Sequence, residues 1–277
     1  MSQVGYEEVM PGVLLAPYPP DSPRVVSTIL AKGSRLALID TAFAEHLPTT
    51  LAPALQALGA EMKDIALVIN THGHGDHIGG NALVRETSGA EVWAAAGDAD
   101  QLPTPPDRRL AEGDTVDLGG GLAFQVVALP GHSAGHIGLY EPTRRLLIAA
   151  DALQGRGSGA LPLIFYSGRA YRQTLQKVMG MDIAVLTTGH RYVWSGEPRL
   201  VHRGEAVARF LQDSVTALDE AEMAVQVALN GCDEQTWPCL EQAFVAQLGQ
   251  DPNQPLPPLF AMTLRALLRD RGIEFPA

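Results

Sequence analysis

Thr71-His72-Gly73-His74-Gly75-Asp76-His77-Ile78-Gly79-Gly80 places three imidazoles and one carboxylate within the six residues from His72 to His77. The apolar run before it, Ile65-Ala66-Leu67-Val68-Ile69, reads as a buried strand that delivers the histidines at its carboxyl end. In extended chain His72 and His74 project to one side and can grip a single metal ion. Gly73 and Gly75 let the backbone turn sharply between ligands, and Asp76-His77 fall where a helix would begin. Four ligand-type side chains exceed what one tetrahedral ion needs if it also holds water, so the turn predicts a two-metal site. Imidazole and carboxylate suit zinc, iron or manganese. The competing reading, a histidine-rich surface loop, is at odds with the glycine punctuation and the buried strand.

Working outward, 277 residues suggest one main domain with an appendage, and 46% hydrophobic against 18% charged residues is ordinary globular composition. No apolar run approaches the roughly 18 residues of a membrane span. The start, Met1-Ser2-Gln3-Val4-Gly5-Tyr6-Glu7-Glu8, shows no secretory signal, so a cytoplasmic location is expected. A net charge of −11 works against a nucleic-acid partner, although bound dications would reverse the local field. Cys232 and Cys239 are expected as two buried free thiols, with a bridge as the alternative.

Before the histidine turn, Val13-Leu14-Leu15, Val25 to Leu30 and Leu36 to Asp40 predict an antiparallel meander. Asp40 closes its last strand, placed either to orient a ligating histidine or to cap the next helix. Leu47 to Leu58 has helical spacing, Asn81 to Glu86 predicts a short helix and Glu91 to Ala95 a strand. A hairpin around Gly119-Gly120-Gly121 runs into Pro130-Gly131-His132-Ser133-Ala134-Gly135-His136. Arg145 to Ala150 is a strand ending at Asp151, and Ile183 to Thr187 another ending at Gly189-His190. Four apolar strands thus deliver His or Asp at their carboxyl ends. Residues 155 to 168 read as a loop, and Arg169 to Met179 as a helix. After Gly196 the pattern predicts helices at Val201 to Leu218, Ala221 to Leu229, Gln235 to Leu248 and Leu259 to Leu268, with 251 to 258 as a stiff Pro-rich linker.

Together, His72-x-His74-x-Asp76-His77, His132, Asp151 and His190 resemble the metallo-β-lactamase fold superfamily over about residues 4 to 196. The resemblance implies an α/β fold, an αββα sandwich, for a catalytic domain of residues 1–196, with 197–277 as an all-helical extension that acts as lid, dimer interface or cap. It also implies that His72, His74 and His132 hold one divalent ion, that Asp76, His77 and His190 hold a second, and that Asp151 bridges them. Zinc is the expected metal, with iron or manganese as alternatives on the same ligands. A metal-bridging hydroxide would then attack an ester, lactone or thioester carbonyl, or the phosphorus of a phosphoester, and Asp76 would also move a proton. His136 is expected beside the metals and not on them, and His46 and His202 on the surface or in helices.

Within the superfamily, Asp151 stands where most zinc β-lactamases place a cysteine. His190-Arg191-Tyr192-Val193 departs from the His-Glu-Tyr-Thr of hydroxyacylglutathione hydrolases, so lactonases, esterases, thioesterases and phosphoesterases, including promiscuous phosphotriesterases, are the expected analogues. In several lactonases a tyrosine after the bridging aspartate assists the substrate carbonyl; Tyr166 is the candidate here, in an apolar pocket with Leu163 and Phe165. The expected partner is a small-molecule substrate, with no nucleic acid or membrane, and a homodimer through the C-terminal helices is one use for them. Two other readings are a mononuclear iron dioxygenase resembling persulfide dioxygenases and a regulatory binding protein with vestigial activity.

Overall fold

Successive residues of a strand face opposite ways, and the apolar strands Val13–Ala16, Leu36–Ile39 and Leu146–Ala150 are buried on both faces, which sorts the chain into four layers. The computed structural model describes residues 5–17, 26–157, 163–194, 197–233, 236–249 and 258–274. Its first sheet runs in chain order: β1 (Glu7–Met10), β2 (Val13–Ala16), β3 (Thr28–Lys32), β4 (Leu36–Ile39), β5 (Ile65–Asn70), β6 (Glu91–Ala95) and β7 (Arg108–Leu110). The second sheet has the reverse order from β13 (Glu197–Arg203) through β12 (Val185–Trp194), β11 (Leu146–Ala150), β10 (Ile137–Glu141) and β9 (Ala123–Ala128) to β8 (Thr115–Asp117).

On β4, Ala37 and Ile39 join the core between the sheets, whereas Leu36 and Leu38 pack outward with Leu47, Leu51 and Val84. Those partners lie on α1 (Leu47–Ala57) and α3 (Asn81–Ser88), with α2 (Gly75–Ile78) between them. On β11, Leu146 and Ile148 face the first sheet, and Leu147 and Ala149 face the opposite helices. These helices are α4 (Gly168–Met179), α5 (Glu205–Gly231), α6 (Trp237–Gln247) and α7 (Pro258–Asp270). Strands buried on both faces, with alternate residues in the inter-sheet core and in an outer helical core, make up the expected αββα sandwich.

The C-terminal half differs from expectation in three ways. The helix expected from Val201 starts at Glu205, because residues 197–203 pair antiparallel with β12 as an edge strand. Local apolar content does not separate strand from helix there; pairing decides it. The two helices expected across 201–229 are one, since Asp219-Glu220 is helix-compatible and α5 runs 27 residues unbroken. Cys232 and Cys239 are joined in a disulfide instead of standing as free thiols. The turn from α5 into α6 brings their Cα atoms to 6.0 Å, within bridging range. The linker expected at 251–258 falls almost wholly outside the described residues, as does the extreme N-terminus. Among the described residues, no helix is long and apolar enough to cross a membrane.

Candidate metal centre

Because β4 and β5 run parallel, their carboxyl ends set Asp40 beside Thr71. Asp40, 2% exposed, accepts from Thr71 N at 2.9 Å, Thr71 Oγ1 at 2.8 Å and His77 Nδ1 at 2.7 Å. An ionised carboxylate only accepts, so His77 carries a proton on Nδ1 and turns Nε2 toward Asp151 Oδ2, 3.3 Å away. Thr71 commits its hydroxyl proton to Asp40, so its oxygen accepts from His72 Nδ1 at 3.1 Å. His72 Nε2 is left buried with no hydrogen-bond partner. One carboxylate thus orients two imidazoles.

His132, at the end of β9, is oriented from the other sheet. Its Nδ1 donates to Ile164 O at 2.8 Å, which leaves Nε2 2.9 Å from His74 Nδ1. β11 and β12 are parallel with Ala150 opposite Thr188, so Asp151, just past β11, meets His190, which lies within β12 at its irregular stretch between Thr187 and Tyr192 and not past a strand end as expected. Asp151 Oδ2 lies 3.3 Å from His190 Nε2 and 3.6 Å from His132 Nε2, and Asp76 Oδ2 lies 3.2 Å from His190 Nε2. A Cβ on Gly189 would fall 2.3 Å from Asp151 Oδ1, so this approach requires glycine. Asp40 at φ 55° and Ala150 at φ 45° hold left-handed backbone beside these groups, at a cost on the order of 1 kcal/mol each.

Candidate donor atoms of His72, His74 and His132 lie within 4.8 Å of one another, as do those of His72, His77 and Asp151 and those of Asp76, His77 and His190. The structure therefore brings together all seven side chains expected as metal ligands, with Tyr166 outside these groups. His72 Nε2 and Asp151 Oδ1 are buried polar atoms with no hydrogen-bond partner, which is costly unless something else satisfies them. Nitrogen and carboxylate donors converging in this way fit divalent metal ions.

Residues 22–190, more than half of the chain, match the sequence model of the metallo-beta-lactamase superfamily. The chain belongs to that superfamily. A hydroxyacylglutathione hydrolase from Jannaschia sp. (strain CCS1) is 39% identical over 147 residues, 52% of this chain and 55% of that protein. The match thus spans about half the length of this curated relative. A metallo-beta-lactamase family protein from Thermus thermophilus shares the fold with a TM-score of 0.71 at 20% identity, covering 95% of each chain. A beta-lactamase domain protein from Burkholderia ambifaria gives 0.70 at 18% identity, over 98% of this chain and 89% of that one. The similarity to a hydroxyacylglutathione hydrolase stands beside the departure of His190-Arg191-Tyr192-Val193 from the His-Glu-Tyr-Thr pattern.

Other expectations for this superfamily member need correction. Leu163 and Phe165 do not line an open pocket; at 2% and 1% exposure they pack into the core with α4, α5 and α7. Tyr166, which follows them and precedes α4, turns outward instead and is 54% exposed. Its backbone N donates to Gly131 O at 2.7 Å, beside His132, and the Arg269 guanidinium lies 4.4 Å from its ring centroid. His202 lies on β13, fully buried and stacked on Phe210 at 4.1 Å, and is neither superficial nor helical. His136 is 1% exposed and stacks on His72 at 4.6 Å, beside the donor set as expected.

Gln154 went unnoticed in the sequence. Its side chain accepts from Ile164 N at 2.8 Å and donates to Ile164 O at 2.6 Å, the carbonyl that orients His132. Gln154 N in turn donates to Tyr171 OH at 3.1 Å, and Gly155 N donates to Ser214 Oγ of α5 at 3.0 Å. The helical layer thereby supports the His132 turn. Only proximity to Asp151 in the chain hinted at this.

The buried imidazoles make metal-free stability depend on pH in both directions. Burial opposes charge on His190, but Asp151 and Asp76 outweigh it and push the ring up to about 9. Burial pushes His132 down to about 4. The raised group contributes stability below its unfolded value near 6.5, lost as pH rises toward 9; the depressed group costs stability as pH falls from 6.5 toward 4. The melting temperature of metal-stripped protein is expected to peak near pH 6.5, and calorimetry showing a monotonic rise to pH 9 would contradict this.

Proposed function

We propose that the chain is a dinuclear metal-dependent hydrolase of small acyl thioesters, with zinc as the metal. The observation that carries this reading is the meeting of two overlapping donor sets at one edge of the sandwich, with Asp151 against both. The similarity to a hydroxyacylglutathione hydrolase supports an acyl-glutathione as the first thioester to try. His72, His74 and His132 would hold one ion, Asp76, His77 and His190 the other, and Asp151 would reach both. When bound, such ions supply Lewis acidity and acidify water.

The chain's own residues do the rest. Asp40, Thr71 and Ile164 fix which imidazole nitrogen faces the site. Asp76, 27% exposed at its side chain, can take a proton at its carboxylate and pass it to the departing sulfur. The acyl C–S bond breaks as a C–O bond to water oxygen forms, giving carboxylic acid and thiol. Tyr166, exposed, next in the chain to Phe165 and held by Arg269 over its ring, would offer its phenol to the substrate carbonyl. A mononuclear iron dioxygenase would need chiefly the first donor set, so the second, equally complete, favours hydrolysis.

The test is a panel of thioesters, lactones, aryl esters, phosphodiesters and phosphotriesters, run on protein of known metal content alongside Tyr166→Phe. Thioester turnover is expected to lead, with Tyr166→Phe lowering kcat about tenfold, the worth of one lost hydrogen bond in the range of about 1–2 kcal/mol. Oxygen uptake with one iron per chain and no hydrolysis would overturn the proposal.

A further inference from the structure

One more carboxylate is buried beside the seven converging side chains, and nothing in the reaction above uses it. Asp98 follows β6 in the turn Gly97-Asp98 and is 1% exposed. Its Oδ2 accepts from Gly73 N at 3.3 Å, between His72 and His74. Oδ2 also accepts from Ser133 Oγ at 2.5 Å and Oδ1 from Gly135 N at 2.8 Å, both just past His132. All three donors are uncharged, and burying a carboxylate on such donors is costly unless each bond is kept.

The two turns it touches come from different sheets, His72 and His74 following β5 and His132 following β9. Backbone meets backbone at this junction. A Cβ on Gly135 would lie 2.3 Å from Gly97 C and 2.4 Å from Asp98 N. Ile137 N donates to Thr71 O at 2.9 Å nearby; Asp98 adds two more bonds across the same seam, from Ser133 and Gly135, and ties itself to the His72–His74 turn through Gly73 N on its own side. The 2.9 Å separation of His74 Nδ1 from His132 Nε2 is thus set where Asp98 grips both loops.

We propose that Asp98 is a positioning residue, a buried clamp that holds the His72–His74 turn and the His132 turn at the spacing one cation needs from three nitrogen donors. The inference rests on the dinuclear reading above. It makes the affinity of the first metal depend on a residue that does not ligate it.

The experiment is chelator-competed zinc titration of wild type, Asp98→Asn and Ser133→Ala, with the melting temperature of each metal-free protein. Asp98→Asn, with its oxygen kept on Gly135 N, turns an amide NH2 toward Gly73 N and Ser133 Oγ and accepts from neither. One of two zinc-binding steps is expected to weaken about 10–100-fold while the other moves less than about threefold, the scale found for groups that orient ligands. Ser133→Ala, which removes one bond and keeps the charge, is expected to weaken the same step less, and it decides the matter if Asp98→Asn does not fold. A purely structural Asp98 would lower the metal-free melting temperature and leave both zinc affinities at wild-type values, and that result overturns the inference. Wild type that takes up no zinc would instead sink the dinuclear reading itself, and this inference with it.

Discussion

Asp151→Ala is expected to lower kcat/KM for the preferred thioester by about 10²–10⁴-fold and to strip metal from the protein. Asp151 is 3% exposed, and its Oδ2 lies 3.3 to 3.6 Å from the Nε2 atoms of His77, His132 and His190. Burial opposes its charge, yet His190 and His77 hold its carboxyl well below the usual carboxylate range, so it stays ionised. Removing one partner from a buried charge cluster costs about 3–5 kcal/mol, and each 1.36 kcal/mol on the barrier is about tenfold in rate. Because Asp151 faces both donor sets, its loss should affect both ions of the proposed dinuclear centre. Elemental analysis beside steady-state kinetics checks this: a variant with two metals per chain and a rate within tenfold of wild type would refute the bridging role.

Asp40→Ala should carry the largest stability cost of any single change near the site, about 3–5 kcal/mol in metal-free protein. It leaves Thr71 N, Thr71 Oγ1 and His77 Nδ1 buried without an acceptor, each worth about 1–3 kcal/mol unsatisfied and together less than their sum. The melting temperature is expected to fall by about 10 °C at this chain length. Asp100→Ala, which removes an exposed carboxylate paired with Arg109, serves as the control and should leave the melting temperature unchanged. Calorimetry placing both variants within about 2 °C of wild type would show that Asp40 is not the anchor of the histidine turn.

The donor set was legible because its chemistry is local. His72, His74, Asp76 and His77 share one turn, and His132 and Asp151 follow apolar strands, so residue type and strand boundary pointed to them; His190, expected just past a strand, lies within β12, which runs on to Trp194. The αββα layering came from the family resemblance that the donor motifs carry; the unbroken apolar runs of β4 and β11 indicate strands buried on both faces without saying what covers each face. Position along the chain is the only sequence feature that marks Tyr166, and the apolar character of its neighbours Leu163 and Phe165 suits a pocket wall and a packed core equally.

By itself, then, the sequence determined which side chains could take part in metal chemistry and which strand ends would carry them, because these follow from short-range spacing. Only the tertiary structure decided what holds those side chains in place. Gln154 and Asp98 reach partners 10 to 37 residues away, Asp40 reaches His77 from another strand, β13 is a strand because β12 is there to pair with it, and Cys232 meets Cys239 because α5 turns into α6. Hydrogen bonds and pairings of this kind depend on distances in space, and a pattern read along the chain has no access to them.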